Sequence, residues 1–190
     1  MVRRPGPQAP AVIVTDRLRL RTVVPDDADD LYALEQDPQV MRYLNGGRPT
    51  PRIPPQDPTL YRMPRGAESD VWAAHHRQTG QFMGWFALGQ GDDRIGSLGY
   101  RLRRHAWGQG YGLEGAEALV DHGFRILGMA AIHADTMAVN LASRRIMEKL
   151  GMRHLRTYEE PSQEPIEGAE AGEVEYGITA EAWFDRRTLS

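Results

Sequence analysis

The sequence predicts an α+β domain, a mostly antiparallel twisted sheet flanked by helices. Short stretches with period-two alternation recur between residues 12 and 179, and that spacing marks half-buried strands. Gly-bearing turns of a few residues separate several of them, which is hairpin connectivity. Two longer stretches instead carry apolar residues at helical spacing. The predicted order is β-α-βββ-α-β-α-ββ.

Residues 12–22 set Leu18 and Leu20 against Arg17, Arg19 and Arg21, so they are predicted as one opening strand. Pro25-Asp26-Asp27 is a helix start, with proline in the first turn and carboxylates on the positive end of the dipole. Leu31, Leu34 and Val40 are expected to face inwards from it. Residues 46–64 are rich in Gly and Pro and are read as either a mobile loop or a lid. Residues 70–76 and 81–88 flank Gln78-Thr79-Gly80 as a hairpin, 89–94 is a further turn, and 95–102 is the next strand. Residues 112–127 place Leu113, Ala116, Leu119, Val120, Phe124 and Leu127 on one helical stripe that stops at Gly128. Residues 130–136 follow as a strand. Residues 141–150 are a helix with Ala142, Ile146 and Leu150 inwards, ended by Gly151. Residues 153–158 and 173–179 close the domain as a strand pair around an acidic loop. No internal repeat is visible.

A chain of 190 residues is long enough to bury a proper core as one domain, read as residues 12–190 behind a flexible segment 1–11. A net charge of −3 argues against general nucleic-acid binding, which needs a basic face. No apolar run approaches the length of a bilayer span. The first residues carry arginines with no apolar stretch behind them, so no secretory signal is expected and a cytoplasmic protein is. The chain has no cysteine, which excludes disulfides, thiolate zinc sites and Cys nucleophiles. His75 and His76 are adjacent on a strand and point to opposite faces, so no metal site is expected there or elsewhere.

The most informative stretch is Trp107-Gly108-Gln109-Gly110-Tyr111-Gly112, between a predicted strand and a predicted helix. Glycine lets backbone N–H groups turn towards an anion where a Cβ would clash. A helix starting at Gly112 would aim its positive end at the same place. Gly110 to Gly115 also fits G-x-G-x-x-G with Asp135 twenty residues on, a dinucleotide pattern. Residues 103–107 intervene before the helix, however, and the preceding strands are expected in hairpins and not in a parallel βαβ array. No Gly-Lys-Ser/Thr follows, so a Walker loop is excluded. A turn that merely packs a helix close to a sheet is the plain alternative.

Gly108-Gln-Gly110-Tyr-Gly112, Asn140-x-x-Ser143 and Lys149-x-Gly151, in that order and spacing, resemble the GNAT superfamily of CoA-dependent N-acetyltransferases. The nearer likeness is to its branch that acetylates ribosomal-protein N-termini. Thr15 to Arg21 resembles that branch's opening strand, and Tyr176 to Trp183 its closing strand. Trp107 stands where the superfamily usually opens the loop with Gln or Arg, a replacement common in the branch.

The resemblance implies a sheet splayed at the CoA-binding strands, acetyl-CoA as co-substrate and no metal. It implies that Trp107, Gly108, Gln109, Gly110, Tyr111, Gly112 and Leu113 form the pyrophosphate cradle. The pantetheine arm would lie between the strands of residues 95–102 and 130–136, and the Leu102 amide would stabilise the developing oxyanion. Asn140 would bond the pantetheine, cap the following helix, or both. Arg103, Arg104 and Arg145 are candidates for the CoA phosphates. Many members protonate the leaving thiolate with a tyrosine seven residues after the asparagine. Met147 occupies that position here and cannot donate. Ser143 is the nearest motif hydroxyl, with bonding to its own helix as the alternative role. The base that frees the amine is expected at Glu159 or Glu160, with His133 and Asp135, on one strand face, as the fallback.

Residues 159–175 hold seven glutamates and no basic residue. An acidic rim there favours a cationic acceptor, such as a peptide N-terminus, a polyamine or an amino sugar. Arg48, Arg52 and Arg62 in the earlier loop argue against a uniformly acidic site. Two other functions stay open at this level. One is a non-catalytic acyl-CoA sensor, suggested by Met147. The other is an NAD(P)-dependent oxidoreductase, suggested by the glycine pattern. An exposed edge at residues 174–179 would allow a homodimer.

Overall fold

One sheet organises the chain, with strand order β1-β2-β3-β4-β5-β6-β8-β7. The structure is a computed structural model and describes residues 12–44, 48–50, 68–91, 93–159 and 166–188. The expected flexible segment 1–11, most of the loop 46–64 and Glu160 lie outside the described residues. The elements are β1 (Val12–Val14), β2 (Leu18–Thr22), α1 (Ala28–Leu34), β3 (Val71–His76), β4 (Phe82–Gln90), β5 (Ile95–Leu102), α2 (Tyr111–Arg125), β6 (Ala131–Met137), α3 (Leu141–Lys149), β7 (Arg153–Tyr158), β8 (Glu173–Thr179) and α4 (Ala180–Thr188). Among the described residues no helix is long and apolar enough to cross a membrane.

The sheet has two unlike faces. On one, Leu18, Leu20, Phe86, Leu98, Leu102, Ile132 and Tyr176 pack beneath α2, α3 and α4 in a large core. On the other, Val71, Ala73, Phe82 and Trp85 meet Val23, Leu31 and Leu34 in a smaller cluster under α1. Every neighbouring pair is antiparallel except β5 and β6, which run parallel and are joined by α2.

Several expectations are corrected. Residues 12–22 are two strands, because the chain reverses at Thr15, whose hydroxyl accepts from the Leu18 amide at 2.9 Å. Alternation runs through such a tight turn unchanged, so periodicity could not reveal it. A helix, α4, follows β8 at the C-terminal end and was not expected. In α3 the buried stripe is Met147 and Leu150 with Ile146 beside them, and Ala142 is exposed. Among the described residues the β5-α2-β6 crossover makes the one parallel pair, and the strands before it, β3, β4 and β5, form the expected hairpins. Strand β8 lies inside the sheet between β6 and β7, so residues 174–179 offer no free edge, and the edges are β1 and β7.

Candidate active site

Strands β5 and β6 pair only over Ile95–Ser97 with Ala131–His133 and then part. The hydrogen-bond parity of the neighbouring ladders says what faces the gap. The Arg103 amide donates to the Met83 carbonyl at 2.9 Å and Leu102 sits opposite Gly84, so Leu102 and Tyr100 are at positions that do not bond to β4. Their backbone groups therefore point away from β4, into the gap. The Leu102 carbonyl is met there by the Trp107 indole N–H at 2.9 Å. The Leu102 amide is left facing the opening. From the other side the Ala138 amide donates to the Gly172 carbonyl, which puts Asp135 at a β6 position whose backbone also faces the gap.

The glycine loop stands at the open end. Gly108 has φ +70° and Gly110 φ +85°, both left-handed, so the sequence needs glycine at these places. A Cβ on Gly108 would touch nothing within 4 Å, so its backbone is open to a ligand. Helix α2 begins at Tyr111, one residue before the expected start, and its N-cap is Gly110, which has no side chain to cap it. The first intrahelical bond is from the Glu114 amide to the Gly110 carbonyl at 3.0 Å, which leaves the Tyr111, Gly112 and Leu113 amides for an anion. Gly112 and Gly115 serve packing instead. A Cβ on Gly115 would come within 2.2 Å of the Phe86 ring, and one on Gly112 within 2.8 Å of Ile146.

The loop is braced from behind by residues the sequence reading did not single out. Arg17 donates to the Gln109 carbonyl at 2.9 Å, pairs with Glu114 at 2.7 Å and lies 4.3 Å over the Tyr111 ring. Burial raises the Glu114 carboxyl, but bonds from Thr15 and from the Arg17 amide and guanidinium outweigh it and hold it below its usual value.

Across the gap, Asn140 is the N-cap of α3, its Oδ1 accepting from the Ser143 amide at 3.3 Å while Nδ2 donates to the Thr136 hydroxyl at 3.0 Å. The Ser143 hydroxyl lies 2.9 Å from the Tyr100 phenol, so a side chain of β5 reaches the helix that continues β6. Burial pushes the Tyr100 phenol up to about 12, against the lowering by its bond to Ser143. Met147 is fully buried. The signal for Tyr100 was present in the sequence. It shares the inward stripe of Leu98 and Leu102, and a phenol in such a stripe needs a partner.

The other face of the same strands holds charge. Glu35 is buried at 2% exposure and pairs with Arg101 at 3.0 Å. Burial raises its carboxyl, and Arg101 offsets this only in part. On β6, His133 Nδ1 lies 2.8 Å from Glu175 of β8, which also takes Arg156 of β7 at 2.5 Å. Two residues along, Asp135 accepts from the Tyr158 hydroxyl at 3.0 Å, and burial raises its carboxyl above the usual value. Glu159 is exposed at the end of β7.

The expected phosphate ligands separate. Arg103 pairs with Asp30 at 3.1 Å and Arg104 with Asp37 at 2.6 Å, both turned towards the α1 side and away from the glycine loop. Arg145 is exposed on α3 with no ion pair among the described residues. Gln109 bonds the His105 carbonyl. His75 packs on Phe82 and His76 on Tyr111, so the two rings do lie on opposite faces.

Residues 17–153 match the family model described as Acetyltransferase (GNAT) domain. The chain is similar to the FsC-acetyl coenzyme A-N(2)-transacetylase of Aspergillus fumigatus, 31% identical over 190 residues, covering 93% of this chain and 80% of that protein. Among solved structures it is similar to a GNAT-family acetyltransferase from Bacillus anthracis, with TM-score 0.72, 21% identity, 90% of this chain and 99% of that one. It also resembles spermidine N-acetyltransferase from Vibrio cholerae in complex with CoA and spermine, with TM-score 0.67, 14% identity, and 90% and 99% coverage.

Proposed function

The chain belongs to the GNAT acetyltransferase family, and on that premise we propose that it moves the acetyl group of acetyl-CoA directly onto a primary amine. The observation that carries the reading is the parting of β5 from β6 beside a helix N-terminus that no side chain caps. The residues present fit such a co-substrate. The amides from Gly108 to Leu113 form a cradle open enough for a pyrophosphate, and the gap-facing backbone of Tyr100 and Asp135 with the Leu102 amide offers strand-like bonds to an extended arm.

Acetyl-CoA supplies the activated acyl group when bound. The chain's own residues do the rest. The Leu102 amide donates to the carbonyl oxygen as negative charge develops on it. The Trp107 indole, bonded to the Leu102 carbonyl, fixes that peptide plane. Asn140 holds the first turn of α3 and keeps a second Nδ2 proton for the ligand arm. Ser143 donates to the departing sulfur. The Tyr100 phenol, 2.9 Å from the Ser143 hydroxyl and donating to the Ser143 carbonyl at 3.3 Å, holds the serine side chain in place beside the gap. This pair does the work that Met147 cannot. With no cysteine in the chain, no Cys acyl-enzyme forms, and the amine attacks directly.

The acceptor is read as a cationic amine. The acidic run 159–175 supports this, as does the company of relatives: one named for N(2) acetylation and one holding spermine. Calorimetric titration with acetyl-CoA tests the first half. One-to-one binding in the micromolar range is expected, and no binding at millimolar concentration would sink the reading. An amine screen following released thiol tests the second half, free of background from protein thiols. Binding without turnover of peptide, polyamine or amino-sugar amines would favour a sensor instead.

A further inference from the structure

The geometry points to a second binding site, for a phosphate monoester dianion, on the α1 side of β2 and β3 and apart from the glycine loop. It stands independently of the acetyltransferase reading. Leu18 and Leu20 enter the large core, so Arg19 and Arg21, which alternate with them, face the other side of the sheet. His75 stands directly opposite Arg19 in the β2–β3 register, and Arg21 stands opposite Ala73, whose small side chain leaves room. Arg77 joins them from the turn after β3. Arg19, Arg21, His75 and Arg77 line one cavity of about 270 Å³, and His76 and Gly80 complete its wall. A Cβ on Gly80 would meet nothing within 4 Å, so that wall opens to solvent. Strands β4 and β5 stand between this cavity and the β5–β6 gap.

The charges around the cavity say what it holds. Arg21 is neutralised by Asp27, with both of its contacts at 2.7 Å. Arg77 is fixed by the neutral carbonyls of Thr15 and Asp16, at 2.7 and 3.2 Å, which leave its charge unbalanced. Arg19 is exposed, and among the described residues its side chain has no ion pair or hydrogen bond. Of the nearby carboxylates, Asp30 pairs with Arg103, while Asp16 and Asp26 are exposed. Arg19 and Arg77 thus border the cavity with no carboxylate paired to either. They are diagonal neighbours across the ladder, where like charges repel. A dianion between them removes that repulsion, and guanidinium forks match the oxygens of a phosphate.

His75 reports on the occupant. Burial and the Arg21 charge lower its imidazole below the usual value, against the raising effect of Asp27 and Asp30. The other groups that face the ring are Arg19 across the ladder, Arg77 two residues on, and Phe82 of β4, edge-on at 5.6 Å. The empty cavity therefore favours neutral imidazole. A bound dianion reverses the sign of the local field, favours imidazolium and gains a further donor, so phosphate binding and protonation of His75 are linked. His76 takes no part in this, because its Nδ1 accepts from the Thr79 amide at 3.3 Å and its ring packs on Tyr111.

The test titrates the full chain with inorganic phosphate and with glycerol 3-phosphate at constant ionic strength, following the histidine ring signals by NMR and binding by calorimetry. His75→Gln identifies the His75 signal. Both probes should bind one-to-one and move the His75 midpoint to higher pH, saturably. Arg19→Gln removes an exposed side chain with no structural partner, so it should fold normally and weaken phosphate binding about tenfold or more. Dephospho-CoA carries the pyrophosphate without the monoester and should leave the His75 response to phosphate in place. If CoA moves the His75 signal and dephospho-CoA does not, the monoester that fills the site is the 3′-phosphate of CoA. If neither moves it, the ligand is a separate phosphorylated molecule, and the site stands in both cases. Four results would overturn it: no saturable shift of His75 at millimolar phosphate, an equal shift with chloride, wild-type phosphate affinity in R19Q, or displacement of the phosphate by dephospho-CoA, which would put the ion in the glycine loop.

Discussion

Single side chains divide here between those that build a site and those that hold it up. Tyr100 does both, because its phenol ties β5 to the helix that follows β6 while it orders the Ser143 hydroxyl. Tyr100→Phe removes one neutral hydrogen bond that matters when sulfur charge develops. A kcat loss of about tenfold is expected with the acetyl-CoA Kd within about twofold, read by thiol release against calorimetry. The double variant with Ser143→Ala should be no worse than S143A alone, since the two hydroxyls act as a unit. Asp27 is a supporting residue. Burial raises its carboxyl, but two bonds from Arg21 at 2.7 Å, the Val24 amide and the Arg21 charge hold it below its usual value. A lowered folded-state value stabilises above the unfolded carboxyl value and is lost as pH falls through the folded one. Asp27→Asn should cost about 2 kcal/mol near neutrality, and the gap to wild type should narrow below about pH 4 in denaturant melts.

Helix α2 shows how one element can serve both binding and packing. Its N-terminal glycines leave amides open, while Gly115 lets the helix lie against Phe86. Gly115→Ala brings better helix propensity and a clash with a ring that cannot move. The clash should win, with a net loss of about 1–3 kcal/mol in thermal or denaturant unfolding. Gly112→Ala meets only the flexible end of Ile146 and should cost less. If G115A proved neutral, the close approach of α2 to β4 would be wrong. Strand β5 is the matching element. Its odd positions send Gly99 and Arg101 towards α1, its even ones send Leu98, Tyr100 and Leu102 under α2 and α3, and its free backbone edge faces the gap. Tyr100, Arg101 and Leu102 are thus consecutive residues with three different duties.

At the scale of the whole molecule, a gap inside a sheet is a cost, because unpaired N–H and C=O groups forgo ladder bonds. A ligand that fills it should stabilise the folded chain by mass action. Saturating acetyl-CoA at about 100 times its Kd should add about 2.7 kcal/mol and raise Tm by a few degrees, and free CoA should do nearly the same because the cradle and the arm carry the binding. An unchanged Tm with both would contradict the placement of the ligand between β5 and β6.

Between residues 70 and 179 the strand and helix inventory, the glycine loop and the Asn140 cap were legible in the sequence alone, because each is written in local terms: period, turn chemistry, a missing Cβ; helix α4 beyond them was not. Ile95–Leu102 and Arg153–Tyr158 were legible to the residue. The family was legible too, because its motifs are short but ordered. Tertiary structure alone decided what is brought together across distance. Nothing local says that Arg103 and Arg104 turn to Asp30 and Asp37, that Arg17 braces a loop more than ninety residues on, or that β8 slips between β6 and β7. Register is set by which faces must be buried, and pairing partners lie far apart along the chain. For that reason the hydroxyl pair Tyr100–Ser143 and the pair His133–Glu175, 43 and 42 residues apart in sequence, exist only once the sheet has formed.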